Sequence, residues 1–165
     1  MTDCLTHYYP SQSVADLSGW VQTAVAELKP GDLLSVRDVV VPGSRLRGKK
    51  AELQRQAGGY VNAFLQMSGW RPALSQNQWE DILRESGFVV EYGGSTAVAY
   101  TFHDWALQLS PPDRIRLRAL LVQAPAPVQD YLTPQFAGDR IAFYLQELWI
   151  IGRLEMPDPK GFKNP

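Results

Sequence analysis

Residues 79–102, WEDILRESGFVVEYGGSTAVAYTF, pass from a helix-forming run into two stretches of strand formers separated by Gly93-Gly94. Trp79, Ile82 and Leu83 share one helical face, and Gly87 stands where a helix would stop. Just upstream, Ser75 is a good N-cap and Gln78 sits three residues later in capping-box position, so the spacing predicts a helix over 75–86. Phe88–Tyr92 and Ala97–Phe102 are rich in β-branched and aromatic residues, and a Gly-Gly pair supplies the positive φ of a tight turn. The stretch therefore reads as a short helix followed by a two-stranded hairpin. Phe88, Val90 and Tyr92 would face Val98, Tyr100 and Phe102.

On the N-terminal side the same alternation of signals continues. Ser13 is placed to cap a helix, with Asp16 three residues on, and Val14, Leu17, Val21, Ala24, Val25 and Leu28 recur at helical spacing up to Lys29-Pro30-Gly31. Leu33–Val41, bounded by Gly31 and Pro42-Gly43, reads as a strand. From Lys49 the helical period returns, with Leu53, Ala57, Val61, Phe64 and Leu65 on one face. Gly58-Gly59 falls in the middle of that helix, where each glycine costs about 1 kcal/mol relative to Ala, so the pattern favours something packed close against the backbone over an interruption.

On the C-terminal side Ser110-Pro111 opens a further helix carrying Ile115, Leu117, Leu120 and Leu121, decorated by Arg114, Arg116 and Arg118. A last helix is expected from Thr133-Pro134 or Gly138 to Gly152, with Ile141, Tyr144, Leu145 and Leu148 on its inner face. Phe143, Trp149, Ile150 and Ile151 leave more apolar surface than one face can hide. That helix is then sandwiched between others, or it meets a protein partner or a second copy of the chain.

The 165 residues are 45% hydrophobic and include five Trp, enough for one core without disulfides or metal. Cys4 is the single cysteine, which excludes an internal disulfide and argues against a cysteine zinc site. No apolar run approaches the roughly 20 residues needed to span a bilayer, and residues 1–13 lack a signal-type apolar core. The expected setting is cytoplasmic or inside a particle, not secreted and not at a membrane, with no cofactor and no metal.

Charge is unevenly placed. Between Gly31 and Arg71 lie seven basic residues, Arg37, Arg45, Arg47, Lys49, Lys50, Arg55 and Arg71, against three acidic ones, a local +4 in a chain of net −1. Such asymmetry points to a local anion-facing surface, with a solvated edge whose bases pair with acids elsewhere as the plainer alternative. Trp20, Trp79 and Trp149 are expected in the core and Trp70 partly exposed. Phosphate loops, nucleophile elbows and metal-ligand spacings are absent, so the chain reads as non-catalytic; were it catalytic, His103 and Asp104 would be the first choices.

The order helix, short strand, helix, helix, hairpin resembles the winged helix-turn-helix family over residues 13–102. The resemblance rests on LKPGDLLSVRDVV (28–40), QAGGYVNAFLQMSGW (56–70) and the stretch quoted at the start. It implies an α+β, mainly helical winged-helix-like domain with a two-stranded hairpin over 13–105, a helical part over 106–155, and flexible ends at 1–12 and 156–165. It also implies DNA as a partner, by one of two registers. In one, residues 75–86 are the recognition helix, although Glu80, Asp81 and Glu85 would then face phosphates. In the other, the helix from Lys49 meets DNA, with Arg55, Asn62 and Gln66 outward and Arg37, Arg45, Arg47, Lys49, Lys50 and Arg71 as further contacts. The rival expectation is a protein-binding adaptor or a structural subunit of a larger, viral particle, joined through Phe143, Trp149, Ile150 and Ile151.

Overall fold

The computed structural model describes the backbone of residues 5–8 and the whole of residues 16–155. Cys4, Ser13 and the expected flexible ends, apart from the backbone of residues 5–8, lie outside the described residues, as does the side chain of His7. Five strands form one sheet in the order β1-β2-β5-β3, with β4 beside the start of β5. These are β1 (Leu5–Tyr8), β2 (Leu33–Val40), β3 (Phe88–Thr101), β4 (Gln135–Ala137) and β5 (Arg140–Leu154). β1 and β2 run parallel, and β5 runs antiparallel to β2, β3 and β4.

Helices α1 (Leu17–Val25) and α3 (Gln76–Glu85) cover one face of this sheet. Their core includes Val21, Trp79 and Leu83 against Leu34, Val36, Leu148 and Ile150. On the opposite face, α2 (Lys49–Met67), α5 (Pro111–Val122) and α6 (Ala126–Leu132) pack Val61, Phe64, Leu117 and Leu121 over Val39, Ile141, Phe143 and Leu145. That second core extends beyond the end of β2, because β5 reaches four residues past the Val40–Gln146 pairing to its partners in β3. The short α4 (Phe102–Trp105) closes it, with Trp105 stacked on Trp70 at 5.0 Å and edge-on to Phe143 at 5.5 Å.

Local rules account for most element starts. Ser75 and Gln78 form the expected capping box, Ser110 caps α5 ahead of Pro111, and Asp16 accepts from the Gly19 amide to cap α1. α2 runs uninterrupted through Gly58-Gly59. A Cβ at Gly58 would stand 2.1 Å from the Pro42 carbonyl oxygen, so this glycine lets the loop after β2 lie on the helix backbone; at Gly59 a Cβ would meet nothing within 4 Å.

The architecture is α/β with a mostly antiparallel sheet, and this corrects the winged-helix expectation. The hairpin at Gly93-Gly94 does not exist: residues 88–101 are one strand that pairs along its length with β5, bulged between Val90 and Tyr92. Neither glycine has positive φ. A Cβ on Gly93 would lie 3.3 Å from Gln76 Nε2 of α3, so its missing side chain serves close packing. The tight turn lies at Gly138-Asp139, between β4 and β5, where Gly138 has φ of 59°.

The expected last helix is also a strand. In β5, Ile141, Phe143 and Leu145 are buried on one face while Leu148, Ile150, Gly152 and Leu154 are buried on the other. Switching the buried face between 145 and 148 spaces apolar residues by three and four, which imitates a helix. Trp149 is not core; it is 45% exposed.

Candidate functional site

In open α/β sheets ligands bind outside the carboxyl ends of parallel strands. Here that end is the exit from β2, the loop Val41-Pro42-Gly43-Ser44-Arg45. It is wedged between two helices: Gly58 of α2 meets Pro42 as described, and a Cβ on Gly43 would stand 2.4 Å from that of Ser75 at the head of α3. Two arginines brace it. Arg45 donates to the Asn77 carbonyl at 2.7 Å and to Asp81 at 2.5 Å and Glu80 at 3.3 Å, while Arg55 donates to the Leu46 carbonyl at 3.1 Å and to Glu52 at 2.8 Å. From the far side the Tyr131 hydroxyl of α6 donates to the Val40 carbonyl, and burial pushes that phenol above its ordinary pKa. Cavities of about 280 and 330 Å³ flank the loop, the first against α2 and the second against Ser95 and Gln146 of the sheet.

Beneath the loop lies a buried ion pair. Arg71 and Asp38 are 2.6 Å apart with side chains 8% and 7% exposed, and Trp79 Nε1 donates to the same carboxylate at 3.1 Å. Burial raises the Asp38 pKa, and the bonds and charge from Arg71 and the bond from Trp79 offset only part of that rise. The Asn62 amide clamps the adjacent chain, accepting from the Ala73 amide at 2.7 Å and donating to its carbonyl at 3.0 Å.

On the other face, Glu147 joins Arg37 at 3.1 Å and accepts from the Tyr100 hydroxyl at 3.0 Å. Burial, then the bond to Glu147 and its charge, push the Tyr100 pKa up to about 12. From here the face continues past Trp149, edge-on to Tyr92 at 6.1 Å, to Ile151. Among the described residues no helix core covers this lower part of the sheet, and Tyr92 and Trp149 are 52% and 45% exposed.

No family model and no curated protein matches the sequence of this chain. Solved structures do match its fold. A Bacillus halodurans protein named as a candidate methyltransferase superposes with a TM-score of 0.76 at 15% identity, over 92% of this chain and 70% of that one. The YcgJ protein of Bacillus subtilis superposes with 0.73 at 13% identity, over 93% of this chain. The chain spans only 64% of that protein's length. It shares their fold. The winged-helix premise is thereby overturned, and the likeness to a candidate methyltransferase runs against the DNA-binding, adaptor and non-enzyme expectations as well.

The structure scatters the residues expected to face an anion. Arg45 and Arg55 brace the loop, Arg37 is tied to Glu147, Arg71 is buried on Asp38, and Asn62 is a backbone clamp. Arg47, Lys49, Lys50 and Gln66 remain on the surface. Of the four expected interface residues, Phe143 and Ile150 are fully buried, whereas Trp149 and Ile151 share the uncovered face. Asp38, Tyr100, Tyr131 and Glu147 escaped the sequence reading. Asp38 alone left a signal, as a carboxylate inside an otherwise apolar strand. No described helix is long and apolar enough to cross a membrane, and no described group of three or more His, Cys, Asp or Glu could hold a metal.

Proposed function

We propose that the chain is the acceptor-binding part of a methyl-transfer enzyme, with the acceptor seated at the carboxyl end of β2 beside α2, α3 and α6. The likeness in fold to the Bacillus halodurans candidate methyltransferase, over nearly the whole chain, supports this reading. So does the loop at that end, braced on both sides and bordered by two cavities. A rigid loop at a strand end is what holding an acceptor for in-line transfer requires.

The donor of such enzymes, S-adenosylmethionine, carries a ribose diol, an adenine and an amino-acid end. The residues around the loop do not fit it. The carboxylates nearest the loop are already engaged, Asp38 by Arg71 and Trp79, Asp81 by Arg45, and Glu80 by Arg45 and Arg84. The two cavities lie at or below the low end of the roughly 300–1,000 Å³ typical of ligand pockets. The donor's anchoring groups must come from residues other than these. What these residues do is fix the acceptor's position and keep water from it.

The test is to screen small amines, phenols, thiols and carboxylic acids as pairs with their methylated products, by thermal shift and calorimetry. The reading expects one class to bind with the methylated form weaker, and label from methyl-tritiated S-adenosylmethionine to appear in that class. Equal binding of every pair together with no transferred label would overturn it.

A further inference from the structure

A cavity larger than those two lies away from the loop. It measures about 650 Å³ and lies at the far tip of the sheet, between α4, the start of α5 and the β4–β5 turn. Its volume is in the range of pockets that enclose small ligands. Phe102, Ala106, Ile141 and Ala142 give it apolar walls.

The rim is charged. Arg114 and Arg140 both line it, and neither has a carboxylate within ion-pair distance among the described residues. Arg114 is held in place by the carbonyls of Leu109 at 2.9 Å and Leu107 at 2.6 Å, which fix the guanidinium without neutralising it. Two acids share the lining: Asp104, which accepts from the Thr101 hydroxyl at 2.5 Å, and Asp139, exposed in the turn beside the equally exposed Arg140. A guanidinium held by carbonyls and not, among the described residues, by a carboxylate, beside an apolar hollow, matches an apolar body that ends in a carboxylate.

We infer that this cavity binds an amphiphilic carboxylate, its apolar body between Phe102 and Ile141 and its carboxylate at Arg140 with Arg114. The site stands on its own geometry and does not depend on the methyl-transfer reading. Calorimetry on the full chain, with octanoate, decanoate, decyltrimethylammonium and decyl maltoside below their micelle concentrations, tests it. Decanoate is expected to bind, about tenfold more tightly than octanoate because two more methylenes are buried. Arg140→Glu should weaken decanoate about tenfold or more, as should Ala137→Trp, which fills the mouth from an exposed lining position. Arg118→Glu, on α5 but outside the lining, should leave it within about twofold. Far-UV circular dichroism confirms that each variant folds, and Gln135→Trp replaces Ala137→Trp if that one does not. Absence of decanoate binding, equal or tighter binding of decyltrimethylammonium, or decanoate binding indifferent to Arg140→Glu would each overturn the assignment.

Discussion

Arg71 and Asp38 are the pair on which the exit of β2 rests, since both are more than nine-tenths shielded from water and Trp79 completes the carboxylate's bonds. Removing one partner strands the other charge in the interior. Arg71→Met is therefore expected to destabilise the fold by about 3–5 kcal/mol in urea titration, and adding Asp38→Leu should restore most of that loss. Tyr100 makes a different prediction. Its folded-state pKa of about 12 lies above the ordinary 10.0, so the folded state holds the phenolic proton more tightly than the unfolded chain does. The stability that follows is fully present below pH 10 and is lost as pH rises from 10 towards 12. Urea midpoints measured from pH 8 to 11.5 should fall more steeply in the wild type than in Tyr100→Phe.

At the scale of elements, α2 holds two adjacent glycines with opposite expectations. Gly58→Ala drives a Cβ into the Pro42 carbonyl, which is backbone and cannot swing away; it should cost about 1–3 kcal/mol and loosen the loop it supports. Gly59→Ala points into open space and should stabilise by up to about 1 kcal/mol, the difference in helix propensity. Denaturant titration of the two variants side by side gives both signs. α1, β2, α2, α3 and α5 were legible because their signals are local: a cap, a proline at the first position, a run of one period. Close packing at Gly58 was legible too, as a glycine with no turn to serve. β3 and β5 were not. In β3 a Gly-Gly pair meant for contact with α3 looks the same in sequence as one meant for a turn, and only a tertiary neighbour separates them. In β5 the buried face changes midway, so neither the period of two nor that of 3.6 describes it. The candidate site was less legible still, because Arg45 and Arg55 look like anion ligands until their carbonyl and carboxylate partners are in view.

For the molecule as a whole, two cores on opposite faces share one sheet, and β5 belongs to both. It borders β2, β3 and β4, so without it only the parallel β1–β2 pair remains hydrogen-bonded. A chain ending at residue 139 is expected to have no cooperative unfolding transition and no dispersed amide spectrum, whereas one ending at residue 155 should keep both. The same sheet leaves Tyr92, Trp149 and Ile151 on a face with no described helix core over it, next to the Arg37–Glu147–Tyr100 cluster.

The place of β5 at the end of the described chain also sets a timetable. On the ribosome α1, β2, α2, α3 and β3 all emerge before residues 140–154 exist, and β2 and β3, which flank β5 rather than each other, must wait with open edges. Pairings such as Leu33–Arg153 join residues far apart in the chain, so the fifteen residues of β5 decide when the sheet can close. A newborn chain is then a set of helices around the β1–β2 pair and an unpaired β3, exposed to aggregation until β5 threads between β2 and β3.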